Sequence, residues 1–283
     1  GRSGTGKSYS MKNCNDLGII NVQGKILPFK GNKFEIVNTD DSSEIVSEVK
    51  KLAKSHKSIV VDDYQYVMAN EFMRRATEKG YDKFTEIARH AWDIADCVRT
   101  LPSDVIVYIM CHTDTDNDGF ERLKTIGKLL DEKIVLEGMA TIVLKTAVSD
   151  GNYLFLTQNN GKDTVKSPAE MFPSYAIEND LSYVDAKIRN YYELGEHLAD
   201  EEIAQLDSEI AHEEVEKKKK SRKSRTEEAR KEYFEKVEEL NADKGEEIPY
   251  EEVETPEELP RRKRRKEEDE APEVKERKSR RRR

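Results

Sequence analysis

Short apolar runs alternate with longer polar segments over the first two-thirds of the chain. Runs rich in β-branched and aromatic residues are typical of buried strands, and they occur at 18–22, 34–37, 58–61 and 104–111. Between them the pattern predicts helices at 9–17, from Asp41 or Ser42 to 52, and through most of 64–100. This alternation predicts an α/β fold, with a mainly parallel central sheet flanked by helices.

A hairpin and a closing helix are predicted further along the chain. Two strands are expected at 140–146 and 153–157, because Asp150-Gly151 lies between two apolar runs and Asp-Gly favours a tight hairpin turn. The polar run at 114–119 is predicted to be a loop. A helix at 181–192 is expected to close the folded region.

The density of charge divides the chain near residue 195. About half of the 107 charged residues (49 Lys and Arg plus 58 Asp and Glu) follow that position, within less than a third of the length. We therefore predict a folded domain at 1–194 and a charged helical extension at 195–240. Prolines among charge blocks at 241–283 predict a disordered charged tail.

Composition excludes several classes of protein. The net charge of −9 provides no overall basic field for nucleic acid, so any such contact must be local. The three cysteines are widely spaced and indicate neither a zinc site nor a disulfide framework, which fits a reducing compartment such as the cytoplasm. No apolar run reaches the ~20 residues of a membrane span.

The first eight residues carry the strongest motif. Gly1–Ser8 reads GRSGTGKS, the G-x-x-x-x-G-K-[ST] spacing of a phosphate-binding loop. Its glycines let backbone N–H groups face phosphate oxygens, Lys7 is expected to reach the β- and γ-phosphates, and Ser8 to hold Mg²⁺. The residues predicted to contact nucleotide are Gly1, Arg2, Ser3, Gly4, Thr5, Gly6, Lys7, Ser8 and Tyr9. A loop of this kind follows a buried strand, so we expect a strand before Gly1. The alternative is a glycine-rich turn without a ligand.

Polar residues end two of the predicted strands. Asp62 and Asp63 follow the apolar run at 58–61, as in the strand that holds Mg²⁺ in phosphate-loop enzymes. Asp62 is the expected metal ligand, and Asp63 a group that polarises water. The alternative is an edge strand followed by an acidic turn. His112 ends the next run and is predicted to sense the γ-phosphate, with Thr113 as second choice.

The order of these parts resembles the RecA-like core. More narrowly, residues 1–192 resemble phage-encoded AAA/RecA-like P-loop ATP-binding proteins, a group that includes single-strand annealing and recombination ATPases. The stretches that carry the resemblance are GRSGTGKS at 1–8, INVQGKILPF at 20–29, IVVDDYQY at 59–66, KTIGKLLDEKIVLEG at 124–138 and QNNGKDTVKSPAEMF at 158–172.

The resemblance implies a function and partners. It implies Mg²⁺-dependent ATP binding and hydrolysis coupled to single-stranded DNA in phage recombination or replication, inside the host cytoplasm. It also implies a homo-oligomer. Arg122, Lys124 and Lys128 are the candidate DNA contacts, with a solvated charged face as the alternative. The tail could contact a single-strand-binding protein.

One position departs from the family pattern. RecA-like enzymes place a catalytic glutamate after the strand that follows the first helix, and Gln23 occupies that position here. An amide can orient water but cannot accept its proton. Hydrolysis is then slow, or Asp63 acts as the base. The remaining alternatives are an ATP-binding annealing or mediator protein with little or no turnover, a P-loop kinase and a helicase.

Overall fold

Four parallel strands form the central sheet of the protein. They are β1 (Gly18–Asn21), β2 (Glu35–Val37), β3 (Ser58–Asp62) and β4 (Ile106–Ile109), in the spatial order β2–β1–β3–β4. The structure is a computed structural model and describes residues 1–30, 34–127 and 129–210.

Both faces of this sheet are covered, which explains why its strands read as continuous apolar runs. Ile20 and Val61 face helices α1 (Ser42–Leu52), α2 (Gln65–Arg74) and α3 (Asp82–Cys97). Ile19 and Val60 face the opposite way and pack with helix α4 (Leu181–Tyr191). The prediction of an α/β fold with a parallel sheet between helices is confirmed.

Local signals explain where the helices begin and end. The Asp41 side chain accepts the backbone N–H of Glu44 at 2.9 Å and caps α1. Gly80 separates α2 from α3 with a φ of 100°, a backbone conformation that favours glycine. Both features agree with the predicted helix start and the predicted break.

The first helix is shorter than predicted. The pattern indicated a helix at 9–17, but the chain forms a six-residue 3₁₀ helix at Ser8–Asn13 and is extended from Cys14. Asn13, Asn15 and Asp16 are poor residues for a helix interior, because their side chains compete for hydrogen bonds. The Asn13 amide donates instead to Asp180, at 2.6 Å.

A second hairpin occupies part of the predicted loop at 114–119. Strands β5 (Thr113–Thr115) and β6 (Glu121–Leu123) pair antiparallel. The Asp116 carboxylate closes their turn by accepting the backbone N–H groups of Asp118 and Phe120, at 3.0 and 2.8 Å. The loop prediction was therefore wrong for residues 114–115, because the polar residues of β5 show no apolar alternation.

The predicted hairpin after residue 140 is present but begins later. Strands β7 (Lys145–Ser149) and β8 (Asn152–Leu156) pair antiparallel around Asp150-Gly151, and β9 (Ala176–Glu178) adds to β8. Residues 140–144 lie outside the named strands, and β9 was not predicted.

An apolar cavity lies beside β4. We call it the apolar trough: about 590 Å³, lined by β4, by residues 140–144, and by Leu181, Val184 and Ile188 of α4. Within the described part of the chain, β4 has a strand partner, β3, on one side only. At the end of the trough the backbone nitrogen of Gly1 donates to Cys111 O at 3.1 Å.

The charged extension starts with packed residues. Residues 200–210 are helical, and Ile203 among them is buried. Asp207 accepts hydrogen bonds from Tyr183 at 2.6 Å and from Lys187 at 2.8 Å, both on α4. The predictions for 211–240 and for the tail at 241–283 lie outside the described residues. No described helix is both long and apolar enough to cross a membrane.

Candidate phosphate- and metal-binding site

The Gly1–Ser8 loop lies at the carboxyl edge of the parallel sheet. The backbone nitrogen of Gly1 donates to the carbonyl oxygen of Cys111, two residues beyond the end of β4. Thr5 shares a hydrogen bond with Thr146 of β7, at 2.6 Å between the hydroxyl oxygens. Arg2 donates to Thr115 of β5 at 3.0 Å, whereas Ser3 is exposed. Ligands of open α/β sheets bind at this edge, so the loop is well placed for one.

Two glycines determine the path of the loop. Gly4 has φ of 76° and Gly6 has φ of 93°. A Cβ atom on Gly6 would lie 2.8 Å from the Tyr153 ring and 2.9 Å from Asn179 Oδ1. Gly6 therefore allows both the turn of the loop and the close approach of Tyr153 in β8 and of Asn179, which follows β9. Tyr9 continues this contact, because its ring centroid lies 5.5 Å from that of Tyr153.

The Lys7 ammonium lies within the loop itself. It donates to the carbonyl oxygens of Gly1 at 3.0 Å and Arg2 at 2.9 Å. Burial lowers the pKa of Lys7 from its ordinary value, although the charges of Asp63 and Asp62 act in the opposite direction. A partly desolvated cation on neutral acceptors would gain from an anionic ligand. The position fits the predicted contact with phosphate.

Ser8 and Asp62 meet, as their predicted shared role requires. The Ser8 hydroxyl donates to Asp62 Oδ2 at 2.7 Å, across 54 positions of sequence. Asp62 is buried, and its other oxygen, Oδ1, has no hydrogen-bond partner among the described residues. Burial raises the pKa of Asp62 above its ordinary value. A buried carboxylate oxygen without a partner is costly, and a ligand at that oxygen would remove the cost.

The residues present fit Mg²⁺. The described residues contain no group of three or more His, Cys, Asp or Glu side chains that could hold a metal on their own. Mg²⁺ does not need one, because it commonly takes one or two carboxylates together with phosphate oxygens and water. The Ser8 hydroxyl and the unpartnered Asp62 Oδ1 supply that donor set.

Asp63 links the ends of three strands. Its φ of 60° turns the chain sharply after β3. One carboxylate oxygen, Oδ2, lies 2.7 Å from Lys25 Nζ beyond β1, and the other, Oδ1, lies 3.3 Å from His112 Nε2 beyond β4. Residues other than glycine seldom adopt a left-handed backbone conformation, and those that do are often found at functional sites.

His112 reaches the same cluster, as predicted. Its backbone N–H donates to Gln65 Oε1 at 3.1 Å, which fixes the start of the β5–β6 hairpin beside α2. Burial, and then the charge of Lys7, lowers the pKa of His112 from its ordinary value. The ring is therefore neutral near pH 7 and can serve as a hydrogen-bond donor or acceptor.

Gln23 lies just beyond the end of β1, and its Nε2 atom is buried without a hydrogen-bond partner among the described residues. It therefore lies at the carboxyl edge of the sheet, and its catalytic role stays a prediction. The unpartnered amide leaves a polar donor available at this position. Gln23 carries an amide where a catalytic base would need a carboxylate.

The three candidate DNA contacts, Arg122, Lys124 and Lys128, differ in their surroundings. Arg122 lies in β6 and pairs with Asp116 at 2.9 Å, so part of its charge is neutralised. Lys124 is exposed, and its backbone N–H donates to His112 O at 2.8 Å. Lys128 lies outside the described residues. Arg122 and Lys124 are thus carried on a hairpin that is bonded to His112.

The structure adds residues that the sequence reasoning missed. Lys25 pairs with Asp63, Gln65 holds His112, and Asn179 lies against Gly6. Both polar side-chain atoms of Asn179 are buried without partners in the described region. The signal for Lys25 was its position two residues after Gln23, beyond a parallel strand. Asn179 gave no signal, because β9 was not predicted.

Comparison with known proteins gives no family for this chain. No family model matches it, and no curated protein matches it. Its function is therefore argued from the geometry of the site.

Proposed function

We propose that the chain binds ATP with Mg²⁺ at the Gly1–Ser8 loop and hydrolyses it, in a cycle coupled to single-stranded DNA. The observation that carries the proposal is the Ser8–Asp62 hydrogen bond with an unpartnered Asp62 Oδ1. It joins a glycine loop to an acidic strand end at the edge where nucleotides bind in open α/β sheets.

The residues divide the work between binding and charge stabilisation. The backbone N–H groups of the loop and the Lys7 ammonium would hold the phosphates, and Lys7 would offset charge that develops on the transferred group. Ser8 and Asp62 would hold Mg²⁺. When bound, the metal ion neutralises phosphate charge and favours departure of the ADP leaving group.

The cluster beyond β3 would position water. Asp63 would accept a hydrogen bond from water or its proton, and the Gln23 amide would orient water without accepting a proton. Water adds to the γ-phosphorus while the bond to the bridging oxygen breaks, giving ADP and phosphate. The neutral His112 ring would respond to the terminal phosphate, and the backbone carbonyl oxygen of the same residue accepts the N–H of Lys124 in the segment that carries Arg122 and Lys124.

Coupling to DNA is supported by that segment. The backbone N–H of Lys124 donates to the carbonyl oxygen of His112. A movement of His112 on nucleotide binding would therefore shift Lys124, which is a candidate contact with the DNA phosphates. Assembly into a homo-oligomer and work in phage recombination or replication rest on the resemblance alone and belong to the same proposal.

A second candidate is an ATP-binding protein with little or no turnover that anneals DNA or mediates its loading. Gln23 favours it, because the amide stands where relatives of the proposed class use a carboxylate base. Asp63, the other candidate base, is engaged by Lys25 and His112.

Steady-state phosphate release tests the proposal. We expect turnover that needs Mg²⁺, rises with single-stranded DNA and is abolished by Lys7→Ala or Asp62→Asn. Lys54→Ala is the matched control, because this exposed lysine follows α1 at the opposite, amino edge of the sheet. Mg²⁺-dependent binding without turnover would favour the second candidate. Binding indifferent to Lys7 would contradict both.

A further inference from the structure

Lys25 lies beside Asp63, at the exposed rim of the candidate site. Its ammonium lies 2.7 Å from Asp63 Oδ2 and 5.2 Å from the centroid of the Tyr66 ring. The Lys25 side chain is 60 % exposed, whereas that of Asp63 is 12 % exposed. The lysine therefore stands at the entrance to the cluster, and the carboxylate lies inside it.

A tight turn fixes the backbone of Lys25. The Asn21 side chain, at the end of β1, donates to Lys25 O at 2.8 Å. Gly24 N donates to Asn21 O at 3.2 Å, and Gly24 has φ of 61°. The base of the lysine is thus held against the sheet while its long side chain remains free to change partner.

The Lys25–Asp63 pair is easy to exchange. An ion pair with one largely exposed partner contributes little to stability, because water and salt screen it. Asp63 would keep its second contact, to His112 Nε2 at 3.3 Å, after Lys25 had left. Separation of the pair therefore leaves neither group buried without a partner.

We propose that Lys25 is a second phosphate-binding cation, which leaves Asp63 for the terminal phosphate when a nucleoside triphosphate is bound. This inference rests on the proposed function and deepens it. Lys7 lies within the loop and would serve the phosphates nearest to it. Lys25 follows β1, which pairs with β3 on the side away from β4, whereas Gly1 of the loop bonds to Cys111 beyond β4. A triphosphate carries one more anionic group than a diphosphate, and we propose that this terminal phosphate is the group that reaches Lys25.

The exchange has a consequence for Asp63. Once Lys25 bonds to phosphate, Asp63 Oδ2 loses its ammonium partner and becomes available to water. The triphosphate would thereby free the carboxylate that the proposed hydrolysis needs, whereas a diphosphate would leave it paired. Lys25 would act on the reaction as both a binding residue and a positioning residue.

The experiment compares two nucleotides on four proteins: wild type, Lys25→Gln, Lys54→Gln and Lys7→Ala. Dissociation constants are measured with Mg²⁺ for ADP and for the non-hydrolysable β,γ-imido analogue of ATP. Lys25→Gln is expected to weaken the triphosphate analogue by about tenfold, the scale of one charge-assisted hydrogen bond, and to change ADP by less than about twofold. Lys54→Gln, the matched control at the opposite edge of the sheet, should change neither.

The outcomes separate the two proposals. If Lys25→Gln weakens both nucleotides equally, or neither, the inference is overturned while Lys7-dependent binding still supports the proposed function. If the wild-type chain binds neither nucleotide, or Lys7→Ala binds as well as wild type, both fail. Equal thermal midpoints for wild type and Lys25→Gln exclude a loss of folding as the cause.

A double-mutant cycle tests the change of partner. Asp63→Asn removes the competitor for Lys25, so the preference for the triphosphate analogue over ADP should rise. The same substitution in the Lys25→Gln chain should raise that preference by a smaller factor, because no lysine is left to release. Equal factors in both backgrounds would show that the two residues act independently and would overturn the exchange.

Discussion

Gly6 is the residue of the loop with the least freedom to change. Its φ of 93° lies where L side chains are strained, and a Cβ atom there would lie within 3 Å of both Tyr153 and Asn179. Gly4 shares the positive φ, at 76°, but a Cβ atom on it would meet nothing within 4 Å. The two glycines of one motif therefore serve different physical needs.

Alanine at each glycine should separate these needs. Gly4→Ala is expected to lower the free energy of unfolding by about 1–2 kcal/mol, the cost of the left-handed conformation. Gly6→Ala should cost about 1–3 kcal/mol more, because the added methyl group overpacks against the Tyr153 ring. Urea unfolding of both variants measures the difference, and equal losses would contradict the close packing of Gly6.

The candidate site was partly predictable at this scale. Fixed spacing identified the Gly1–Ser8 loop, and the acids at the end of an apolar run identified Asp62, which the structure places against Ser8. The pairing of Lys25 with Asp63 was not predicted, because Lys25 lies in a turn whose direction depends on Gly24. Asn179 reaches Gly6 through contacts far apart in sequence, which no local pattern encodes.

Helix α4 is attached to the sheet by a buried polar network. Arg189 donates to Asp185, to the carbonyl oxygens of Asp104 and Lys57, and to the Ser58 hydroxyl, at 2.7 to 3.0 Å. Asp185 also accepts from Ser58 and Tyr108, both at 2.7 Å. One ion pair thus joins α4 to the amino ends of β3 and β4, opposite the candidate site.

Removal of Arg189 should weaken the attachment of α4 to the sheet and lower the stability of the folded protein. Arg189→Ala is expected to lower the free energy of unfolding by about 3–5 kcal/mol, because it removes the cationic partner of Asp185 Oδ2 and the donor to two carbonyl groups. Arg99→Ala, whose exposed side chain pairs with Asp96, should cost less than about 1 kcal/mol. Chemical unfolding gives both values, and a small loss at Arg189 would show that water replaces the donor.

The central strands β1 and β3 were predictable because they are buried on both faces and read as apolar runs, and β2 and β4 were predictable from their β-branched and aromatic residues. The polar hairpin β5–β6 was not, since each of its strands has only three residues and together they contain a single apolar residue, Leu123. The first helix was predicted too long because Leu17 fits the helical spacing, but its side chain belongs to the core below β1.

At the scale of the whole molecule, one histidine makes stability depend on pH. His56 lies between Asp16, at 2.5 Å, and Glu35, at 3.0 Å, and its side chain is largely buried. Burial alone would lower the pKa of His56, but the hydrogen bonds to Glu35 and Asp16 outweigh it and raise the pKa above the ordinary value of 6.5. The folded protein therefore binds this proton more tightly than the unfolded chain.

The sign of the effect follows from that difference. The stabilisation from His56 is fully present below pH 6.5 and is lost as pH rises through the raised pKa of the folded state. We expect the gap in unfolding free energy between wild type and His56→Gln to shrink between pH 6 and pH 8. Thermal or urea unfolding across that range measures it, and a gap that widens with pH would contradict the assignment.

The apolar trough beside β4 also makes the stability of the folded chain depend on what occupies it. An apolar occupant would bury its walls, with a driving force that grows on warming from the cold. An occupant that binds only the folded chain would therefore raise the thermal midpoint without any change to the existing core.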